Sequence, residues 1–276
     1  MDKDWQAQKE TRQELVTPEP ASRLAASLDI DTGFLNIGTS LPPAWHWMYF
    51  TPLTPQSELA DDGHPIKGGF LPPTSLPRRM FASVKTEYKV PLKVGLETTR
   101  EGIVTDVKDK EGKSGKLTFV TVNYQYHQEG KLCVEEEQQI VYRESLGQIE
   151  LPQRKEFGVL PGDAQQRIIT PDSRLLFRFS ALTFNTHRIH YDRDYAKSEE
   201  GYPALIVHAP LTTILLLQFI QETYHKPVRS TEFHARTPMF DDMPVRLVIN
   251  KKENIVDARA ERCDGQIGVE GKVELE

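Results

Sequence analysis

The sequence predicts an α+β fold built from two halves, each a helix accompanied by an antiparallel meander. Three observations carry that reading. Period-two alternation fills two separate stretches, roughly 79–143 and 229–275. One helical run, 210–224, is apolar on nearly every side and stands directly before the second stretch. Glu129-Gly130 and Asp264-Gly265 join neighbouring strands with the residues that tight hairpins favour.

The first 75 residues are rich in turn signals. Pro18 and Pro20 open a short amphipathic helix over 21–28, with Leu24 and Leu28 on one side. The block from Leu41 to Phe50 is dense in apolar and aromatic residues, including Trp45, Trp47, Tyr49 and Phe50, and reads as core. Prolines and glycines from Pro52 to Pro77 make regular structure unfavourable across the following stretch. Strands are expected over 81–90, 97–107, 117–127 and 132–142, with a turn at 111–115. Val120, Val122, Tyr124 and Tyr126 alternate with Thr121, Asn123, Gln125 and His127, so one face is buried and the other wet. Residues 144–172 read as an ordered crossing segment, because Phe157, Val159 and Leu160 call for cover.

The second half repeats the theme. A short element over 174–182 leads to a polar turn at 183–194 and a helical turn at 195–199. Leu211, Ile214, Leu215, Leu217, Phe219 and Ile220 then surround most of the 210–224 helix, the mark of burial on nearly all sides. Strands follow over 229–236, 245–250, 255–262 and 266–275. One sunken helix followed by a four-stranded meander is a hotdog arrangement, and two in one chain predict a double hotdog, packed as a pseudo-dimer. The expected division is 1–145 for a degenerate N-terminal hotdog, 146–172 for a crossing linker and 173–276 for a C-terminal hotdog.

Length and charge bound the function. A chain of 276 residues, 38% hydrophobic and 27% charged, sustains a packed core and is neither disordered nor fibrous. A net charge of −6 argues against a nucleic-acid partner. The best apolar stretch, 204–220, is interrupted by His208, Pro210, Thr212 and Thr213 and falls short of the roughly 18 residues a membrane span requires. The first residues lack the basic and apolar features of a secretory or transit leader. Cys133 and Cys263 make no disulfide framework and read as core or sheet-face residues; no Cys/His group has zinc spacing. A soluble, cytoplasmic protein is the expectation.

The chemistry concentrates in 179–209. The run Phe179-Ser180-Ala181-Leu182-Thr183-Phe184-Asn185-Thr186-His187-Arg188-Ile189-His190-Tyr191-Asp192-Arg193-Asp194-Tyr195-Ala196 resembles the hydratase-2 motif of MaoC-like enoyl-CoA hydratases, with Ile189, His190, Asp192, Tyr195 and Ala196 on matching positions. Gly201-Tyr202-Pro203, then His208-Ala209, is similar to that family's lead into its central helix. Gly68-Gly69-Phe70-Leu71-Pro72-Pro73 and Leu76-Pro77-Arg78-Arg79-Met80 resemble the N-terminal half of the two-domain branch containing type 2 hydroxyacyl-thioester dehydratases and mesaconyl- and itaconyl-CoA hydratases.

The resemblance implies a hydro-lyase whose catalytic half is the C-terminal hotdog, acting on an enoyl or 3-hydroxyacyl thioester. Coenzyme A or an acyl-carrier protein would be the carrier, with no cofactor beyond coenzyme A as part of the substrate and no metal. It makes His190 the acid/base, since imidazole titrates near neutrality and positioned proton transfer is worth about 10²–10⁴-fold. One departure stands out: the family's catalytic Asp, five positions before that His, is Asn185 here. An amide takes no proton at neutral pH, so Asn185 is left to orient water or hold the His tautomer, and His187 or Asp192 to replace the carboxylate. Backbone N–H groups around Val207, His208 and Ala209 are candidates to stabilise the enolate oxygen. His208, directly before the helix, is equally a cap. Asp192 and Asp194 read most simply as helix-opening residues. Arg188 is a candidate to hold a second carboxylate of a dicarboxylic acyl-CoA, and Arg78 and Arg79 to bind coenzyme A phosphates, although a solvated basic pair explains the latter equally. A dehydratase or isomerase for a polyketide-like intermediate, a thioesterase and a non-catalytic acyl-thioester binding module remain alternatives. Oligomeric state is open, a homodimer among the options.

Overall fold

The computed structural model describes residues 5–112, 115–145, 147–160 and 162–276. Lys113 and Ser114 of the expected 111–115 turn lie outside the described residues, as does Pro161 of the crossing segment. The chain divides into two compact units: Met1–Leu146 with Ala181–His187, and Gly147–Ser180 with Arg188–Glu276.

The first unit carries a five-stranded antiparallel sheet. Its strands are β1 (Lys9–Leu15), β2 (Arg78–Tyr88), β3 (Glu97–Gly112), β4 (Gly115–Gln128) and β5 (Lys131–Arg143), paired β1 to β3, β3 to β4, β4 to β5 and β5 to β2. The β4–β5 hairpin turns at Glu129 and Gly130, both with positive φ (49° and 74°), the conformation such two-residue turns require. Leu76, Val104, Val120, Val122, Ile140 and Tyr142 form one buried cluster on this sheet. Helix α1 (Pro18–Ser27) contributes only Ala21, Leu24 and Ala25 to the interior. So short an apolar stripe leaves much of the sheet to other residues, and Trp45, Met48, Tyr49 and Phe50 are indeed buried. The aromatic block is core, as its composition suggests.

The second unit is the more regular. Its sheet pairs β7 (Val228–Ala235), β10 (Ile267–Leu275), β9 (Ile255–Arg262), β8 (Val245–Lys252) and β6 (Gln165–Ile169) in that spatial order, all antiparallel. Helix α4 (Ala209–Tyr224) packs against β8, β9 and β10. Leu211, Ile214, Leu216, Leu217, Phe219 and Ile220 are buried, as are Thr212 and Thr213. The two threonines remain compatible with burial because each hydroxyl donates to the carbonyl four residues back, to His208 at 3.2 Å and Ala209 at 3.1 Å. Two further helices, α2 (Ser173–Leu182) and α3 (Arg193–Ser198), frame the site segment.

Two expectations for the crossing segment need correction. It contains a strand, β6, on the edge of the second sheet. Val159 is fully exposed, whereas Phe157 is half-buried with the Arg246 guanidinium 4.9 Å from its ring centroid. Phe157 packs against a buried cluster that includes Ile206, Phe240 and Met243, and Leu160 is also half-buried, so Val159 alone of the three stays uncovered. Cys133, in β5, and Cys263, in the turn that follows β9 and not in a strand, are both buried.

Candidate active site

In the second unit, a 3₁₀ turn over Arg188–His190 delivers His190 into the interior, where it is 8% exposed. The turn is pinned by backbone pairing: Ile206 N–H donates to Ile189 O at 2.9 Å, and His190 Nδ1 lies 2.7 Å from Ile206 O. A carbonyl only accepts, so Nδ1 carries the hydrogen and the basic lone pair of neutral His190 sits on Nε2. The tautomer is thus held by the Ile206 carbonyl. Asn185 has another task, its Oδ1 accepting from His187 N–H at 3.1 Å in an Asx turn.

His208 occupies the N-cap position of α4, but its side chain makes no capping hydrogen bond. Its ring stacks on His190 instead, with centroids 3.6 Å apart and planes 18° from parallel. Phe179 meets its edge at 4.9 Å, and Ser180 Oγ lies 2.9 Å from Nε2. At that separation two like charges would repel each other.

The helix opening narrows the choice of enolate-stabilising donors. Val207 N–H donates to Met239 O at 2.9 Å and is therefore no such donor, which corrects its expected role. Ala209 is the first residue of the 16-residue α4, where an amide has no intrahelical acceptor and the helix dipole is positive. Pro210, with no N–H, follows it.

Arg188 does not stand as an isolated cation. Its Nε and Nη2 donate to Asp192 Oδ2 at 3.1 and 2.8 Å, and its guanidinium lies 4.0 Å from the Tyr195 ring centroid. Asp192 also caps α3 by accepting from Tyr195 N–H at 3.0 Å, the helix-opening role its position suggests. That backbone bond, followed by the Arg188 pairing, holds its carboxyl below the usual range.

His187 belongs to the first unit, where it meets two residues to which no role falls in the sequence reading. Asp62 accepts from His64 twice, from the backbone N–H at 2.9 Å and from Nδ1 at 3.0 Å. The His64 ring lies 4.1 Å from that of His187, which is 4% exposed. Gly63 is what lets the two segments touch. Its φ is +88°, and a Cβ there would fall 1.7 Å from Thr186 O. Thr186 Oγ1 in turn donates to Gly63 O. The sequence signal was Asp62-Gly63-His64 itself, since Asx turns recur where an Asp stands two residues before the amide it accepts from.

Burial drives His64 down to about 3, opposed by the Asp62 hydrogen bond and helped by the charges of Arg79 and His187. For Asp62, burial acts upward but is outweighed by the hydrogen bond and charge of His64, which leave the carboxyl well below its usual range. Asp62, His64 and His187 bring ligand atoms within 4.8 Å of one another, a set that suits a first-row cation. The charge of Arg79 reaches His64 and that of Lys67 faces Asp62, so the surroundings are already cationic and suit a hydrogen-bonded support of the 185–187 loop better. Arg79 is half-buried, and its charge acts on Tyr142 as well as His64. Arg78, also half-buried, opens β2 opposite Arg143.

Comparison with known proteins places the chain in a family. The family described as hydroxyacyl-thioester dehydratase type 2 matches residues 44–241. The chain belongs to the hydroxyacyl-thioester dehydratase type 2 family. It is 44% identical over 271 residues to the mesaconyl-C(4)-CoA hydratase of Chloroflexus aurantiacus, covering 98% of this chain and 96% of that one. It is 27% identical over 243 residues to the mitochondrial hydroxyacyl-thioester dehydratase type 2 of Schizosaccharomyces pombe, covering 79% and 80% of the two chains. Among solved structures, HtdX of Mycobacterium tuberculosis superposes with a TM-score of 0.68 at 13% identity, covering 98% of this chain and all of that one (100%). A Mycobacterium tuberculosis protein described as having a double hotdog fold matches with a TM-score of 0.61 at 10% identity, over 98% and 96% of the chains. The fold is a double hotdog, and this member of the family is a hydro-lyase that hydrates or dehydrates acyl thioesters. Among the described residues, no helix is long and apolar enough to cross a membrane.

Proposed function

We propose that this chain catalyses the reversible hydration of an unsaturated dicarboxylic acyl-CoA of the mesaconyl type, in the cytoplasm, with His190 as acid/base. The observation that carries the site is the 2.7 Å bond from His190 Nδ1 to Ile206 O, which leaves a lone pair on Nε2 of a buried ring. The likeness over nearly the whole chain to a mesaconyl-C(4)-CoA hydratase supports the substrate class.

In the hydration direction, His190 Nε2 takes a proton from water as the water oxygen bonds to the β-carbon. The electron pair of the double bond moves through the α-carbon onto the thioester oxygen, making an enolate. The Ala209 N–H at the positive end of α4 meets that oxygen, and removal of one such donor costs about 10²–10³ in rate. The enolate then collapses and the α-carbon takes the proton back from His190 Nε2, which returns the imidazole to neutrality. The small side chain of Ala209 allows a thioester to approach the amide. Stacking on His208 keeps the His190 ring from rotating. Proton transfer and water addition ask for no redox group, so coenzyme A enters only as part of the substrate.

Loss of the enoyl-thioester absorbance tests the reading. His190→Ala is expected to lower kcat by at least about 10²-fold on mesaconyl-CoA. An unchanged rate would refute the site. A strong preference for crotonyl-CoA over the dicarboxylic monothioester would remove the substrate class, and stoichiometric release of free thiol would make the enzyme a thioesterase.

A further inference from the structure

The segment that holds His190 is itself held by an ion pair with a buried carboxylate, to which the proposed chemistry assigns no step. Asp241 is 2% exposed. Its N–H donates to Leu205 O at 3.0 Å and its Oδ1 accepts from Leu205 N–H at 3.0 Å, so one residue grips both backbone polar groups of Leu205. Arg193, the first residue of α3, donates through Nη1 to Asp241 Oδ1 at 3.2 Å and through Nη2 to Oδ2. This two-pronged geometry is the one in which a guanidinium fixes a carboxylate most firmly.

The grip lies immediately beside the group that sets the His190 tautomer. Ile206, next along the chain, donates its N–H to Ile189 O at 2.9 Å and presents its carbonyl to His190 Nδ1 at 2.7 Å. Val207 N–H, on the far side of that carbonyl's own peptide, donates to Met239 O at 2.9 Å. Residues 205–207 are therefore laced on one side to 189–190 and on the other to 239–241. On the 239–241 side that lacing runs through the carboxylate of Asp241, and Arg193 compensates its buried charge. Removing one member of such a pair leaves an uncompensated charge and lets the backbone it holds relax.

We propose that Asp241 and Arg193 are positioning residues for the hydro-lyase reaction. Their ion pair fixes the 205–207 backbone so that the Ile206 carbonyl keeps the hydrogen on Nδ1 of His190 and the lone pair on Nε2. Released from the clamp, the imidazole populates the other tautomer, whose Nε2–H takes no proton from water. The inference rests on His190 being the acid/base.

The test uses the full-length enzyme with Arg193→Gln and Asp241→Asn. The expected result for each is a kcat about 10–100-fold lower with KM within about twofold, the size of effect found when a supporting partner of a reacting group is removed. The ¹⁵N resonances of the His190 ring are expected to move from the pure Nδ1–H pattern to an averaged pattern of both tautomers. Arg193→Lys, which keeps the charge but not the fork, is expected to recover part of the lost kcat. Arg193 has 41% of its side chain exposed, so Arg193→Gln tests the proposal even where Asp241→Asn fails to fold. A folded Arg193→Gln variant with wild-type His190 resonances and kcat would overturn it. The ¹⁵N readout needs no substrate. An active His190→Ala variant together with altered resonances in Arg193→Gln would sink the catalytic role of His190 and leave the clamp standing. An inactive His190→Ala variant with unaltered resonances would sink the clamp alone.

Discussion

Replacing Gly63 by Ala tests the contact that ties the Asp62–His64 turn to the loop leading into His190. Two costs arise and can be separated. The first is conformational: at φ +88° an L side chain is strained by about 1–2 kcal/mol. The second is steric, because the new Cβ would fall 1.7 Å from Thr186 O and 2.6 Å from its carbonyl carbon, against a normal contact of about 3.4 Å or more. Backbone cannot yield as the tip of a flexible side chain can. Either the turn or the loop must shift by more than an ångström, and the Thr186 Oγ1 bond to Gly63 O goes with it, worth about 0.5–1.5 kcal/mol net. The expected destabilisation is about 2–4 kcal/mol, a large value for a one-carbon addition. Gly130→Ala supplies the reference: its φ is +74° but a Cβ there meets nothing within 4 Å, so only the conformational cost applies, about 1 kcal/mol. Urea titration followed by tryptophan fluorescence compares the two midpoints. Because 185–187 continues within three residues to His190, Gly63→Ala should also lower kcat by about 10²-fold, the scale of an ångström-sized displacement at a reacting group. Equal midpoints for the two alanine variants would refute the close approach.

Three further outcomes follow from particular groups. His64 is held near 3 when folded, far below its ordinary value, so the unfolded chain takes up a proton at pH values where the folded chain does not. Stability is therefore complete above about pH 6.5 and falls toward pH 3, by about 1.4 kcal/mol per pH unit at most; His64→Gln should flatten that slope in pH-dependent urea titrations, and an unaltered slope would assign it to other groups. Glu136, on β5, accepts from His46 Nε2 at 3.0 Å, Trp47 Nε1 at 2.9 Å, Thr86 Oγ1 at 3.0 Å and Gln138 Nε2 at 2.7 Å. Glu136→Gln turns one acceptor into a donor facing donors and should cost about 3–5 kcal/mol in the same titration, whereas a cost below 1 kcal/mol would mean the network repacks freely. Ser180→Ala removes the 2.9 Å partner of His208 and should lower kcat by about tenfold while leaving the unfolding midpoint within about 1 kcal/mol of wild type; unaltered turnover would separate His208 from the chemistry.

What the sequence disclosed and withheld follows from how each element is stabilised. Helix α4 and strands β7 to β10 were legible because apolar residues at helical or alternating spacing bury a face, and the interior of the second unit enforces that spacing. Strands β1 and β6, reading Lys-Glu-Thr-Arg-Gln-Glu-Leu and Gln-Gln-Arg-Ile-Ile, were not. Each is paired on one side only within its unit, to β3 and β8 respectively, so its side chains stay largely outside a core and carry little periodic signal.

The site divides in the same way. His190 stands out in the sequence because its neighbours along the chain mark the turn that carries it, but its tautomer is set by Ile206 O, a backbone atom 16 positions away that no pattern of residue types encodes. The same holds for the donors at the start of α4. Val207, His208 and Ala209 are equivalent as a string, and only the pairing of Val207 N–H with Met239 O removes the first of them. Backbone groups carry part of this chemistry; every residue has the carbonyl and every residue except proline the N–H. Side-chain identity therefore locates a site of this kind, while long-range hydrogen bonding decides which of its atoms can react. At position 185 the two levels meet: an amide that cannot serve as a base is retained as an acceptor for His187 N–H, shaping the loop in place of transferring a proton.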